Sequence, residues 1–289
     1  MKRTVWLSIA IFVVLGLIVS GCARPTPTPT PKPAPTKAAP TAVPPTAVPP
    51  TAVPPTAVPP TATPPPLVVT VATDATWPPF EMVNEQTKML EGFDIDLMEA
   101  IAKEAGFQVK WVNVGWDSLL AGMATGQYDA AISVMTITEE RAQKWLFSDP
   151  YYSAGQLIAV RIDNKDITKP ADLKGKKAGA QIDTTGAMEI EKIEGATLKS
   201  YDDVGQAFMD LMNGQIDAGG AESPLVDGYV AKNATKIKYV GTVFTDEVYG
   251  IAVKKGAEDL LAKINKGLKA VKDKGILDQL DKKWVKAAQ

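Results

Sequence analysis

Apolar residues recur along residues 67–289 with two spacings, one typical of strands and one typical of helices. The apolar runs predict strands over residues 68–72, 110–114, 129–135, 152–160, 177–181 and 197–201. The helical spacing predicts helices over residues 93–105, 116–124, 185–193, 204–212 and 260–271, and a short helix that ends at Trp284. Because strands and helices alternate, the pattern indicates a parallel α/β architecture. The pattern starts again at residue 177, so we expect two lobes.

The stretch Thr136–Arg141 (TITEER) follows one of these apolar runs and has the features of a helix start. Thr136 and Thr138 are good N-cap residues, and Glu139 stands three residues after Thr136, as a capping box requires. A helix start offers free N–H groups to an anion, and the guanidinium of Arg141 fits a carboxylate or phosphate. The stretch therefore predicts an anion site at the carboxyl end of a strand. The alternative is an ordinary capped helix in which Arg141 pairs with a surface carboxylate.

Residues 1–21 have the features of a secretory signal. Lys2 and Arg3 precede an apolar run, which ends in a Val-Ser-Gly-Cys sequence at Cys22. This order resembles a bacterial lipoprotein signal, in which the cysteine is lipidated and becomes the mature amino terminus. We therefore expect an extracytoplasmic protein (periplasm or cell surface) that Cys22 anchors to the membrane. The alternative is a membrane-spanning anchor, for which the apolar run is short.

Residues 22–66 differ in composition from the rest of the chain. They contain 18 of the 23 prolines and repeat the block Thr-Ala-Val-Pro-Pro. Such sequence favours polyproline II, at about 3.1 Å per residue, and cannot bury a core. We expect a stiff tether, on the order of 100 Å long, between the lipid and the globular part.

The composition excludes several kinds of site. The chain has no histidine and a single cysteine, which excludes a His-based triad, a His-ligated zinc, cysteine catalysis and an internal disulfide. The formal net charge is -2 and no basic stripe is present, which argues against nucleic acid as a partner. No Gly-rich phosphate loop precedes a helix. We expect no cofactor and no metal, and a site made of carboxylates, Arg, Lys, hydroxyls and aromatic rings.

Four motifs, in one order, carry a resemblance to a known family. The most specific is Gly92–Ala102 (GFDIDLMEAIA), and the others are Ala72–Phe80 (ATDATWPPF), Thr136–Arg141 and Phe147–Tyr152 (FSDPYY). With these motifs, residues 67–289 resemble the extracytoplasmic solute-binding proteins of amino-acid ABC importers, known as family 3.

The resemblance implies a two-lobe α/β fold, the type II periplasmic-binding-protein fold. Two crossing segments would join the lobes, and hinge closure would clamp a ligand between them. The implied bounds are 67–153 plus 249–289 for lobe 1 and 157–243 for lobe 2.

The resemblance also assigns partners to the backbone of a bound L-amino acid. In the family, residues at the positions of Thr136 and Arg141 hold the α-carboxylate, which needs such a cation because an unpaired buried charge is costly. From lobe 2, Thr185 matches a threonine that donates to the same carboxylate, with Thr184 beside it. The Val134 carbonyl would accept from the α-ammonium.

Glu222 matches the family's usual aspartate partner of the ammonium; the alternative is a surface salt bridge or a helix-start residue. The resemblance places Trp77 and Trp116 on either side of the ligand side chain, where each ring adds about 0.5–2 kcal/mol to the binding of a cation. Without the resemblance, two tryptophans are more often core residues. Asp74 would pair with a cationic end, and Gln181 would hydrogen-bond an amide or guanidinium.

These assignments lead to one function and two rivals. The expected function is a monomeric binding protein that delivers a polar or cationic L-amino acid, arginine first and glutamine second, to the permease of an ABC importer. The first rival is a cyclohexadienyl dehydratase, since some members of the fold family are such enzymes, with Glu222 or Asp183 as general acid. Asp183 stands where the family usually has glycine, which puts an acid near the pocket. The second rival is a sensory module for a membrane receptor.

Overall fold

The computed structural model describes residues 66–288. The signal, Cys22 and nearly all of the proline-rich tether lie outside the described residues, so these assignments stay predictions. Within residues 66–288, no helix has the length and apolar character needed to cross a membrane.

The strands of this range are β1 (Leu67–Thr73), β2 (Thr76–Trp77), β3 (Glu81–Val83), β4 (Leu90–Glu91), β5 (Phe107–Asn113), β6 (Ala130–Ala131), β7 (Leu146–Phe147), β8 (Tyr152–Ala154), β9 (Gln156–Arg161), β10 (Lys177–Gln181), β11 (Thr197–Tyr201), β12 (Ala218–Glu222), β13 (Ile237–Val240), β14 (Glu247–Tyr249) and β15 (Ala252–Val253). The α-helices are α1 (Phe93–Ala105), α2 (Trp116–Thr125), α3 (Glu139–Lys144), α4 (Thr185–Glu191), α5 (Val204–Met212), α6 (Ser223–Lys232), α7 (Glu258–Asp273) and α8 (Ile276–Leu280).

Two five-stranded sheets form the centres of two lobes, which confirms the predicted two-lobe α/β fold. The first sheet has the order β5-β1-β6-β15-β7, and the second has the order β11-β10-β12-β9-β13. The small sheet β2-β3-β4 adds an antiparallel meander that the sequence pattern did not predict.

Both large sheets are mixed, so the expected parallel arrangement holds for some strand pairs and not for others. β1 runs parallel to β5 and β6, and β10 runs parallel to β11 and β12. β15 and β9 each run antiparallel to both of their neighbours. The reason is the path of the chain. Each of these strands directly follows a segment that crosses between the lobes, so it enters its sheet from the edge at which the parallel strands end.

The crossing segments are β8 and β14, which pair antiparallel with each other. Tyr152 lies opposite Tyr249, and Ala154 lies opposite Glu247. The predicted strand over residues 152–160 is therefore two strands, β8 and β9, separated by Gly155. A Cβ atom at Gly155 would collide with the Thr245 carbonyl, so the two crossing chains can approach this closely only at a glycine.

Helix α1 shows why the periodic segments fold as predicted. Phe93, Leu97 and Ile101 recur at helical spacing, and each is fully buried. The helix ends at Gly106, which adopts a left-handed φ of 76° as its predicted role as a stop requires. The predicted bounds of α1, α5, β10 and β11 are confirmed.

The apolar run at residues 129–135 forms a much shorter strand than predicted. Only β6 pairs with its neighbours, and Val134 has a φ of 48°. A positive φ ends extended backbone, so the chain leaves the sheet here and turns into the space between the lobes.

Candidate functional site

A small cavity lies between the two lobes, at the carboxyl ends of their parallel strands. The space between its walls amounts to about 230 Å³, part of which is open to solvent. Its lining residues are Trp77, Trp116, Ser133, Val134, Arg141, Thr184, Thr185 and Glu222. The lining therefore combines one guanidinium, one carboxyl group, three hydroxyls and two indole rings.

Arg141 brings a buried positive charge to this cavity, since its residue is only 6% exposed. Its Nη1 donates to the Thr136 carbonyl and its Nη2 to the Asp183 carbonyl, each at 3.0 Å. The guanidinium also lies over the Trp116 ring, 5.2 Å from the ring centroid. Burial lowers the pKa of Arg141, and the carboxylate of Glu222 opposes this effect.

Helix α3 presents Arg141, but its start differs from the prediction. The N-cap residue is Thr138, whose hydroxyl accepts from the Arg141 N–H at 3.1 Å. The predicted capping box between Thr136 and Glu139 is wrong. Thr136 instead forms a β-bridge with Tyr249, which fixes it two residues before the helix cap.

Glu222 is the last residue of β12. Its carboxyl group lines the same cavity as the guanidinium of Arg141. It is 3% exposed, so the alternative of a surface salt bridge is wrong, although Glu222 does directly precede α6. Burial is the main cause that raises the pKa of Glu222 to about 7, and the charge of Glu247 adds to it. Its Oε2 has no hydrogen-bond partner among residues 66–288. A cationic ligand group in the cavity would supply the missing partner.

Glu247 is a buried carboxylate that the sequence analysis missed. Its Oε2 accepts from the hydroxyls of Thr136 and Thr185, each at 2.8 Å, and its Oε1 accepts from Gln156 Nε2 at 3.1 Å. It thus joins one hydroxyl from each lobe to the crossing strand β14. No motif marks Glu247, because these partners are 62 to 111 residues distant in the chain.

At the other end of the cavity, Gln181 connects the lobes. Trp77 Nε1 donates to Gln181 Oε1 at 2.6 Å, and Gln181 Nε2 donates to Asp74 Oδ2 at 2.9 Å. Asp74 is 1% exposed and also accepts from the Thr76 hydroxyl. Burial raises the pKa of Asp74, while the hydrogen bond from Gln181 lowers it.

The remaining predicted residues lie at the lobe 2 side of the cavity. Thr184 is the N-cap of α4: its hydroxyl accepts from the Ala187 N–H at 3.2 Å and donates to the Gln181 carbonyl at 2.7 Å. Asp183 has a φ of 55°, and its carbonyl accepts from Trp116 Nε1 at 3.4 Å as well as from Arg141. Asp183 therefore contributes a backbone oxygen to the contact between the lobes.

Comparison with known proteins identifies the family. Residues 69–287 match the bacterial extracellular solute-binding proteins, family 3. The chain belongs to this family.

The relatives of this solute-binding protein are named for binding different amino acids. A probable histidine-binding protein of Neisseria gonorrhoeae is 34% identical over 223 residues, which cover 75% of this chain and 82% of that protein. Two solved structures, of an ancestral arginine-binding protein bound to arginine and bound to glutamine, are each 41% identical with a TM-score of 0.72. Each match covers 75% of this chain and 97% of the chain in that structure.

Seven of the ten predicted ligand-binding residues line the solute-binding protein's cavity. The other three each contact a residue of the lining: Thr136 contacts Thr185, Gln181 contacts Trp77, and Asp74 contacts Ser133. The side chains of Asp74 and Gln181, which are not among the lining residues, are bonded to each other across the lobes. A ligand side chain that reached Asp74 would meet the amide of Gln181 there.

Proposed function

We propose that this protein captures a polar or cationic L-amino acid between its lobes, arginine first and glutamine second, and delivers it to an ABC importer. One observation carries the proposal. The guanidinium of Arg141 and the carboxyl group of Glu222, both buried, line the same cavity. The two charges match the α-carboxylate and α-ammonium of an amino acid, and the ammonium would supply a partner for Glu222 Oε2, which has none among residues 66–288.

The surroundings of Asp74 favour arginine over neutral amino acids. Trp77 and Trp116 line the cavity, and a guanidinium between indoles gains about 0.5–2 kcal/mol per ring. The carboxylate of Asp203 acts on Asp74 and raises its pKa. A guanidinium next to Asp74 would offset this repulsion, and it would also offset the cost of burying a charged carboxylate. The similarity to an ancestral arginine-binding protein supports the same choice.

Glutamine is the second choice because its carboxamide can replace the one that Gln181 now offers. Gln181 Nε2 donates to Asp74, and Gln181 Oε1 accepts from Trp77. A ligand carboxamide provides the same donor and acceptor but no charge. The similarity to a structure of an ancestral arginine-binding protein bound to glutamine supports this second choice.

The membrane part of the proposal rests on the sequence. Cys22 would carry the lipid, and residues 22–66 would hold a monomeric binding domain outside the cytoplasm, within reach of the importer's permease. The lobe bounds that we propose are 67–153 plus 249–289 and 157–243.

Thermal unfolding with a panel of L-amino acids tests the proposal. A ligand at about 100 times its dissociation constant adds roughly 2.7 kcal/mol to the free energy of unfolding, which raises the midpoint by about 5–10 °C. We expect such a shift with L-arginine, a smaller one with L-glutamine and none with D-arginine. The Asp74→Asn variant should lose most of the shift with arginine and little of that with glutamine. No shift with any amino acid overturns the proposal, and equal losses overturn the pairing of Asp74 with arginine.

A second candidate function rests on the pKa of Glu222. A carboxyl group with a pKa of about 7 in a buried cavity can hold and release a proton, as the general acid of a cyclohexadienyl dehydratase must. Phenylalanine formation from arogenate, followed by absorbance, tests this candidate directly. We expect no phenylalanine above a protein-free control.

A further inference from the structure

Two carboxyl groups lie behind the cavity, out of contact with it. Glu81 of β3 and Asp94 of α1 are both fully buried, at 0% exposure. The titratable groups around them are Asp74, Tyr151 and Tyr249, and no lysine or arginine is among the groups that shift their pKa. Burial raises the pKa of both carboxyl groups, well above the ordinary value for Glu81 and to about 7 for Asp94.

The two carboxyl groups hold two consecutive residues of the cavity wall. The Ser133 hydroxyl donates to Glu81 Oε1 at 2.8 Å, and the Val134 N–H donates to Asp94 Oδ2 at 2.9 Å. The Tyr151 hydroxyl also donates to Asp94 Oδ2, at 2.8 Å. The bond from the Val134 N–H holds the backbone directly, and the bond from Ser133 holds the side chain next to it.

Val134 needs this support because its backbone conformation is unfavourable. Its φ of 48° is rare for a β-branched residue, and such a conformation persists only where the surroundings impose it. Val134 lines the cavity together with Glu222. Its conformation therefore decides where a backbone acceptor stands relative to the Glu222 carboxyl group.

We propose that Glu81 and Asp94 are positioning residues that share one proton, retain one negative charge, and fix the Val134 carbonyl as an acceptor for the ligand's α-ammonium. The two side chains are within hydrogen-bond reach of each other, and Glu81 Oε2 and Asp94 Oδ1 have no other partner among residues 66–288. One proton between these two oxygens removes the repulsion of two charges. The remaining charge lies behind the same wall and favours a cation in front of it. The inference rests on the proposed function, since it concerns the ammonium of that ligand.

Two ligands that differ only in the α-amino group test the inference. Isothermal titration calorimetry gives the affinities of L-arginine and of 5-guanidinopentanoate, which is arginine without that group. The ratio of the two affinities measures recognition of the ammonium. We expect Asp94→Ala and Glu81→Ala each to reduce this ratio at least tenfold. A general loosening of the cleft weakens both ligands equally and leaves the ratio unchanged.

Conservative and control variants complete the test. Glu81→Gln can still accept from Ser133 and donate to Asp94, so its ratio should stay within threefold of the wild-type value. Asp96→Ala changes an acid on the same helix that bonds Lys283 and Trp284 instead, and it should leave the ratio unchanged. Equal weakening of both ligands by the two alanine variants overturns the inference.

If neither alanine variant folds by circular dichroism, the double variant Glu81→Gln/Asp94→Asn decides. It keeps the hydrogen-bonding atoms but carries no charge, so we expect its ratio to fall at least threefold. An unchanged ratio overturns the inference. A wild-type protein that binds no amino acid overturns the proposed function, and this inference with it.

Discussion

Arg141 combines three contacts that a lysine cannot make together. Its guanidinium donates to carbonyls of Thr136 and Asp183 and lies over the Trp116 ring. A lysine offers a single point charge without the planar fork. We expect Arg141→Lys to weaken L-arginine binding about 100-fold, equal to roughly 2.7 kcal/mol, measured by titration calorimetry. Arg161→Lys is the matched control, since Arg161 pairs with Asp163 and is not among the lining residues. A loss below threefold in Arg141→Lys contradicts its role.

The raised pKa of Glu222 should make the affinity for the ligand depend on pH. With a pKa of about 7 in the unliganded protein, it is mostly protonated at pH 6 and mostly ionised at pH 8. An α-ammonium binds the ionised form, so we expect the affinity for L-arginine to rise about tenfold from pH 6 to pH 8. In Glu222→Gln this rise should largely disappear, and affinity at pH 8 should fall. An equally steep profile in that variant would assign the titration to another group, such as Asp94.

The same group has the opposite effect on the stability of the unliganded protein. The pKa of Glu222 is raised above its ordinary value of 4.5, so the folded state binds more protons than the unfolded state between these two values. The contribution of Glu222 to the free energy of unfolding therefore falls as pH rises from about 4.5 to about 7. Ligand binding should reverse this loss.

At the scale of the element, Gly92 determines how α1 begins. It has a φ of 137°, and a Cβ there would collide with the backbone of Phe80. Helix α1 carries Asp94, so a shift of its start also moves an acceptor that holds Val134. We expect Gly92→Ala to lower the free energy of unfolding by about 3 kcal/mol or more, measured by urea denaturation.

Gly115 gives the matched control for this prediction. It also precedes a helix, α2, but has a φ of -62° and open space around its Cβ position. Gly115→Ala should change stability by less than about 1 kcal/mol. Equal losses in the two variants would mean that helix starts in general, and not the strain at Gly92, determine the result.

At the scale of the whole molecule, the lobes bond directly to each other. Gln181 of the second sheet bonds Trp77 and Asp74, and Asp183 accepts from Arg141. These bonds need no ligand atom, so we expect the unliganded protein to spend part of its time with the lobes together. Ligand binding then shifts a population that already exists.

Removing the Gln181 side chain should shift this population. We expect Gln181→Ala to increase the radius of gyration of the unliganded protein, measured by X-ray scattering, because two side-chain bonds between the lobes are lost. L-Arginine should return the variant to the liganded wild-type value. Gln206→Ala is the control, since Gln206 is exposed on α5. No difference between the two variants in the absence of ligand contradicts the role of Gln181.

The sequence by itself determined the elements whose signals are local. The bounds of α1, α5, β10 and β11 follow from periodic burial and from stops such as Gly106, which act over a few residues. The family resemblance also indicated Arg141, Glu222 and the two tryptophans, and the structure brings all four to one cavity. The resemblance was needed here, because by local pattern alone two tryptophans are more often core residues.

Only the tertiary structure decided which side chains of the site hydrogen-bond to each other. The partners of Glu247 are 62 and 111 residues away along the chain, and Gln181 reaches Asp74 across 107 residues. It also decided the antiparallel strands β9 and β15, because their direction follows from where the chain crosses between lobes. Such contacts leave no periodic trace in a sequence, since their energy comes from burial and hydrogen bonding that arise only when distant segments pack together.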